Sequence, residues 1–486
     1  MKTVKYLVAG LLVACAMNVQ AQTSFREMLK PIETQLEANP NDDAAVKNMI
    51  KDYRKEFKKN AEALTALGYT FFGVKRYDAA IQWADQAIAV NKNYGDAYVL
   101  KGDVAAMQDD GGGAANWYQQ AMTMDPKNPN GYLGYANVYR KVDPQGAEAA
   151  INQLRQTNPD FPVDAELGHY MFNADNMDKA YEYYSKSKLE KLDEGRLAEY
   201  ALVARSVDKN EDALRIAQFG VQKFPESNAF LRLAIISSVA LQQYDGALSY
   251  SEKLMSKEGE TNSGDLIYFG QALAGKERYE EAIAKFNKAI EVDKTNIMPY
   301  QHISETYAKM GNEDKAIEFS RKYMELNPNV KPSEYTKLAG IYMAKVKKGD
   351  NVEVNYANAM QVYDDAAKKY PQLKSWAIYQ KANDTFGAEM DTIALKLYND
   401  LIAELEPKTD RDRTDNNFLA TAYRNGGYII WATLNDSQAA RPYFEKLIAI
   451  DPDNSLAKKY FDAEKAAQEA AAAAAEEGAD TVQPEE

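Results

Sequence analysis

Residues 61–94, AEALTALGYTFFGVKRYDAAIQWADQAIAVNKNY, decide the fold. Leu67, Gly68, Phe71, Tyr77, Ala80, Ala84 and Ala87 fall at i, i+3, i+4 and i+7 spacings, which lay apolar stripes along two short facing helices. The phrase returns about every 34 residues. Comparable units begin at Gly95, Pro129, Phe161, Glu194, Asn228, Ser263, Ile297, Pro332, Leu373 and Thr421. Prolines keep the same beat, because a helix stops before proline: Pro126, Pro159, Pro225, Pro328, Pro371 and Pro452 each follow a helical run. Wider gaps after Pro328 place insertions toward the C-terminal end.

On these residues the chain resembles the tetratricopeptide-repeat (TPR) family, whose pattern sets Leu-Gly and then Tyr in one helix and Ala-x3-Phe followed by Pro in the next. Leu167-Gly168 and Phe269-Gly270 fit the first helix. The second helix is matched by Ala114-x3-Tyr118-x2-Ala121, Ala282-x3-Phe286-x2-Ala289, Ala359-x3-Tyr363-x2-Ala366 and Ala440-x3-Phe444. The resemblance implies an all-α, right-handed superhelical solenoid of about eleven helix-turn-helix repeats over residues 61–454. A lone repeat leaves its apolar face wet, and stacking many repeats buries a continuous core. Two units depart from the pattern: Met171 replaces tyrosine, and the unit from Leu373 fits through Trp376 and Tyr398-x2-Leu401 only with extra residues before Tyr398.

Residues 22–60 read as capping helices broken at Asn39-Pro40-Asn41-Asp42, and residues 455–486 as a capping helix running into an Ala/Glu-rich tail expected to be disordered. The insertion Val346 to Tyr356, VKKGDNVEVNY, is expected to lengthen the turn between two paired helices.

The first 21 residues have the parts of a secretory signal: Lys2 and Lys5, the apolar run Tyr6 to Met17, and Val19-Gln20-Ala21. Cleavage between Ala21 and Gln22 then places the protein in a bacterial periplasm. The alternative is an outer-membrane lipoprotein, since Leu12-Val13-Ala14-Cys15 resembles a lipobox in which Cys15 is acylated. No later stretch reaches the ~20 apolar residues of a membrane-spanning helix. Cys15 is the only cysteine, so the mature chain is expected to hold no disulfide.

The 72 acidic residues outnumber the 58 basic ones, giving a formal charge of −14 and no evident basic block, which argues against nucleic acid. His169 and His302 are the only histidines and sit several repeats apart; no metal-ligand spacing, catalytic set or cofactor motif appears. Gly270 to Glu277 imitates a phosphate-binding loop, but Glu277 stands where the magnesium hydroxyl belongs and no strand precedes it. Asp109-Asp110-Gly111-Gly112-Gly113 reads as a flexible turn.

The TPR resemblance implies that first helices line a concave face. Its outward positions are Tyr69 and Phe72, then Asn137, Arg140 and Lys141, then His169 and Phe172, then Arg205. This mixture of aromatics and cations suits an extended peptide carrying carboxylates. The expected function is a non-catalytic protein-interaction scaffold of the cell envelope, and the alternative is an outer-membrane-associated glycan or nutrient-binding accessory. Whether the chain forms an oligomer stays open.

Overall fold

The structure, a computed structural model, describes residues 19–257 and 261–479. Cys15 lies outside them, and for Ala21 and Gln22 only the helical backbone is described. Among the described residues all regular structure is helical, in two compact units, the chain dividing between Leu241 and Gln242.

Unit 1 opens with α1 (Val19–Ala38) and α2 (Asp43–Phe57). Helix pairs follow: α3 (Ala61–Gly73) with α4 (Tyr77–Val90), α5 (Gly95–Met107) with α6 (Gly111–Met124), α7 (Pro129–Tyr139) with α8 (Pro144–Thr157), α9 (Val163–Asn173) with α10 (Met177–Ser185), and α11 (Glu194–Ser206) with α12 (Asn210–Lys223). The first helix α13 (Asn228–Ala240) closes the unit. Unit 2 opens with α14 (Tyr244–Met255). It continues through α15 (Ser263–Gly275) with α16 (Tyr279–Val292), α17 (Met298–Lys309) with α18 (Glu313–Leu326), α19 (Pro332–Lys347) with α20 (Val352–Lys369), α21 (Lys374–Phe386) with α22 (Asp391–Leu405), and α23 (Arg413–Tyr428) with α24 (Ser437–Ile450), ending in α25 (Ser455–Ala479).

Most pairs turn by the same device, the α7–α8 turn excepted. The second residue past the first helix takes positive φ, as at Lys75, Asp109, Asp208, Glu277 and Gly311. That left-handed step lets two amides bond back into the helix, Lys75 to the Phe72 carbonyl and Arg76 to the Phe71 carbonyl, and so satisfies carbonyls the helix end would leave bare. Side-chain caps start many helices; Asn60 accepts from the Ala63 amide at 3.1 Å and Asp110 from the Gly113 amide at 2.8 Å. Gly111 to Gly113 therefore form the first turn of α6 and are not the flexible turn that composition suggests.

Packing follows the small-and-large rule of the sequence. Tyr118 of α6 is buried between Gly102 of α5 and Gly134 of α7, where an added Cβ would stand 2.6 and 2.4 Å from its ring. Phe25, Ile32, Tyr53 and Phe57 join α1 and α2 to the Leu67–Phe71 face of α3, and the Tyr53 hydroxyl donates to the Ala63 carbonyl at 3.0 Å.

Two expectations need correction. The Val346–Tyr356 insertion does not make a long turn; it is absorbed into helix, so α19 has 16 residues and α20 has 18, against 12 and 14 in α17 and α18. The last first helix starts at Arg413, not near Thr421, and runs through a π-helical turn at Ile429–Thr433. The C-terminal Ala-rich stretch is helical as far as Ala479.

Candidate partner-binding surface

Tyr69 and Phe72 lie on α3, half-buried, with rings edge to face at 6.1 Å. The Tyr69 hydroxyl donates to Asp103 Oδ2 at 2.9 Å, and the Tyr118 hydroxyl donates to Asp103 Oδ1 at 2.8 Å. One carboxylate on α5 thus ties α3 to α6. Burial pushes its pKa up to about 6, against the two tyrosine donors that pull it down. Burial, and then the charge of Asp103, holds the Tyr69 hydroxyl well above its ordinary value.

On α7, Asn137 is exposed; Arg140 caps the helix and Lys141 follows it in the turn. Beside them Tyr135 and Tyr139 stack at 4.7 Å, a feature the sequence reading missed although its signal is an aromatic pair at i, i+4. His169 of α9 sets Nδ1 at 3.0 Å from both oxygens of Glu199 on α11, and Glu199 also accepts from the Tyr184 hydroxyl. Asn173 closes on the same ring, Nδ2 to Nε2 at 2.9 Å. Phe172 is half-buried, and Arg205 is exposed in the last turn of α11.

The structure therefore brings Tyr69 to Phe72 and gives His169 an acidic partner. Among the described residues no hydrogen bond or ion pair joins the α3 residues to those of α7, or either set to His169, Phe172 and Arg205. Arg140, Lys141 and Arg205 form no ion pair among the described residues.

Unit 2 carries a comparable polar ladder across successive first helices that the sequence reading did not foresee. Gln271 of α15 meets His302 of α17, Nε2 to Nε2 at 2.8 Å, while the imidazole stacks on Phe286 at 5.4 Å. Glu305 then takes Lys337 of α19 at 3.0 Å. Hydrogen bonding from His302 first, then from Lys337, holds the Glu305 carboxyl down at about 2, although burial opposes it. At the chain's last pair, a shallow groove of about 430 Å³ runs along α25 past Trp431, Ser437, Ala467 and Ala471.

The phosphate-loop imitation has a packing explanation. Gly270 and Gly275 are both helical, and an added Cβ would stand 2.4 Å from Phe286 and 2.4 Å from Tyr244 respectively. Lys276 is committed to Asp245 at 2.9 Å. No group of three or more His, Cys, Asp or Glu side chains among the described residues is arranged to hold a metal ion.

The tetratricopeptide-repeat family model matches residues 61–94, 269–296, 299–330 and 432–454, so the helix pairs include tetratricopeptide repeats. Among solved structures, the C-terminal part of a TPR repeat-containing protein from Cytophaga hutchinsonii is similar at 21% identity, covering 54% of this chain and 98% of that one, with a TM-score of 0.42. MamA from Desulfovibrio magneticus RS-1, from residue 41 to its end, is similar at 19% identity over 34% of this chain and 94% of its own, with a TM-score of 0.30. MamA from MSR-1 gives 18% identity, coverage of 34% and 94%, and a TM-score of 0.30. Comparison with curated proteins finds no match.

Proposed function

We propose that this protein is an exported, non-catalytic interaction scaffold of a bacterial cell envelope, binding peptide segments or folded partners along the first helices of its repeats. The observation that carries the reading is that these helices and the turns that end them hold side chains that stacking does not consume. Asn137, Lys141 and Arg205 are exposed, and Arg140, Lys141 and Arg205 have no acidic partner among the described residues of a chain rich in acids. A free guanidinium or ammonium beside half-buried aromatics such as Phe172, Tyr135 and Tyr139 suits a peptide carboxylate with an adjoining apolar side chain.

Export rests on the charged, apolar and small-residue segments before Gln22. No helix among the described residues is long and apolar enough to cross a membrane.

The test is capture of partners by the tagged protein from envelope extracts of its native host, with the intact mass of the captured chain. Stoichiometric proteins bound to a chain starting at Gln22 support the reading. Replacing Arg140, Lys141 and Arg205 with alanine is expected to weaken capture at least tenfold with helicity unchanged; equal capture removes these residues from the site. A chain acylated at Cys15 that retains glycan and no protein replaces the scaffold with the nutrient-binding accessory.

A further inference from the structure

Surface cations elsewhere in this chain are commonly matched by an acid on a neighbouring repeat. Lys345 meets Asp314 at 2.5 Å, Lys374 meets Glu404 at 2.6 Å and Lys446 meets Glu406 at 2.5 Å. α2 breaks this habit. Lys47, Lys51, Arg54, Lys55 and Lys58 fall at i, i+4, i+7, i+8 and i+11, which places them on one side of the helix, and Lys59 extends the row into the turn. All six are exposed, and none forms an ion pair among the described residues.

The three acids of α2 do not neutralise the row. Asp43 is held by Arg76 at 2.5 Å; Asp52 and Glu56 lie roughly 100° or more round the helix from Lys47, Lys51, Arg54 and Lys58, and although they stand three residues before Lys55 and Lys59 they form no ion pair with them among the described residues. Nor does helix stability account for it. The helix dipole favours Arg54 and Lys55 in the last turn, but not Lys47 and Lys51, and the like-charge pairs Lys47–Lys51, Lys51–Lys55 and Arg54–Lys58 disfavour the helix. What keeps the row in place is packing: Val46, Tyr53 and Phe57 are buried behind it, and Arg76 also donates to the Pro40 carbonyl at 3.3 Å.

We infer that α2 is a docking face for an anionic phospholipid surface. The row runs roughly 17 Å along a convex helix. It contains five lysines to one arginine, point charges on flexible stems that suit many dispersed phosphates better than one planar carboxylate. No exposed aromatic interrupts it to grip a peptide or stack a base. Clusters of this size on a helix face bind anionic leaflets, each charge strengthening attachment about fivefold. The acid excess of the rest of the chain is screened beyond about 8 Å at physiological salt, so attachment is confined to this face. The inference does not depend on an acyl group at Cys15 or on the identity of a protein partner.

The test is sedimentation of the full chain, expressed without acylation, with vesicles of phosphatidylcholine alone or with roughly one third phosphatidylglycerol. Binding is expected only to the anionic vesicles and is expected to fall as salt rises. Lys47→Gln, Lys51→Gln and Lys55→Gln together are expected to weaken it at least about tenfold. The same charge change at Lys309, Lys331 and Lys368, exposed residues of unit 2, should leave it unaltered. Circular dichroism checks that both variants keep the parent's helicity. Binding that is absent, indifferent to phosphatidylglycerol, or equally reduced by the two triple variants overturns the inference. Capture of poly-glutamate without vesicle binding also overturns it and assigns the row to an acidic protein.

Discussion

Asp103 works against the fold at neutral pH. Its pKa of about 6 lies above the roughly 3.9 of an unfolded aspartate, so the native state holds the proton more tightly. Stability from this group is therefore fully present below about pH 4 and declines as pH rises to about 6, by roughly 3 kcal/mol. Asp103→Asn is expected to gain on the parent across that interval and to run parallel to it above pH 7. Urea denaturation at a series of pH values checks this, and a constant difference from pH 4 to 7 would refute it. Glu305 acts in the opposite sense: its carboxyl is held at about 2, so its contribution is present above about pH 4 and fades as pH falls toward 2. Its side chain is 42% exposed, and solvent reduces the effect. Tyr118 poses a steric question instead. Because Gly102 and Gly134 press its ring from two sides, Gly102→Ala leaves it nowhere to retreat. A loss of about 1–3 kcal/mol is expected, read as a lowered thermal midpoint.

At the scale of the element, the turn inside most pairs uses a left-handed residue, and most of these residues are not glycine. Lys75→Gly is expected to stabilise the protein by up to about 1 kcal/mol, since lysine bears a steric cost at φ 63° that glycine lacks. Gly311→Ala should do the reverse by about 1 kcal/mol; an added Cβ there meets nothing within 4 Å, so the penalty is purely conformational. Chemical denaturation of both variants measures the pair of signs. These turns carry weak sequence signals, yet the helices around them were legible. Ala61, Gly95, Pro129, Glu194, Asn228, Ser263 and Pro332 mark repeat starts in the sequence and first residues of helices in the structure. Thr421 failed because α23 begins with Arg413-Thr414-Asp415-Asn416-Asn417, five polar residues whose helicity has no apolar period to announce it; Asp412 caps them instead. The candidate surface was legible only as outward positions. That the Tyr69 hydroxyl and the His169 imidazole are occupied by Asp103 and Glu199, about one repeat further along, is a tertiary fact that local periodicity does not encode.

Across the whole molecule, stability is expected to be local, because each pair draws its core from its neighbours. Phe444 is fully buried and stacks on Tyr460 of α25 at 4.4 Å, so Phe444→Ala should cost about 3–5 kcal/mol. Hydrogen exchange is expected to quicken in α23, α24 and α25 while α3, α4 and α5 keep their parent rates. Uniform acceleration through both units would instead reveal one cooperative block. The long pair α19 and α20 bears on how such an array tolerates growth. Each helix exceeds its counterpart in the preceding pair by four residues, close to one turn of 3.6. Growth by one turn in both partners moves the ends outward together and rotates the stacking face by only about 40°, whereas two added residues would swing it by about 200° and turn the seam to water. Growth in this pair thus comes by the turn and in both partners at once, and a segment grafted into α19 or α20 alone would break the stack on either side of it.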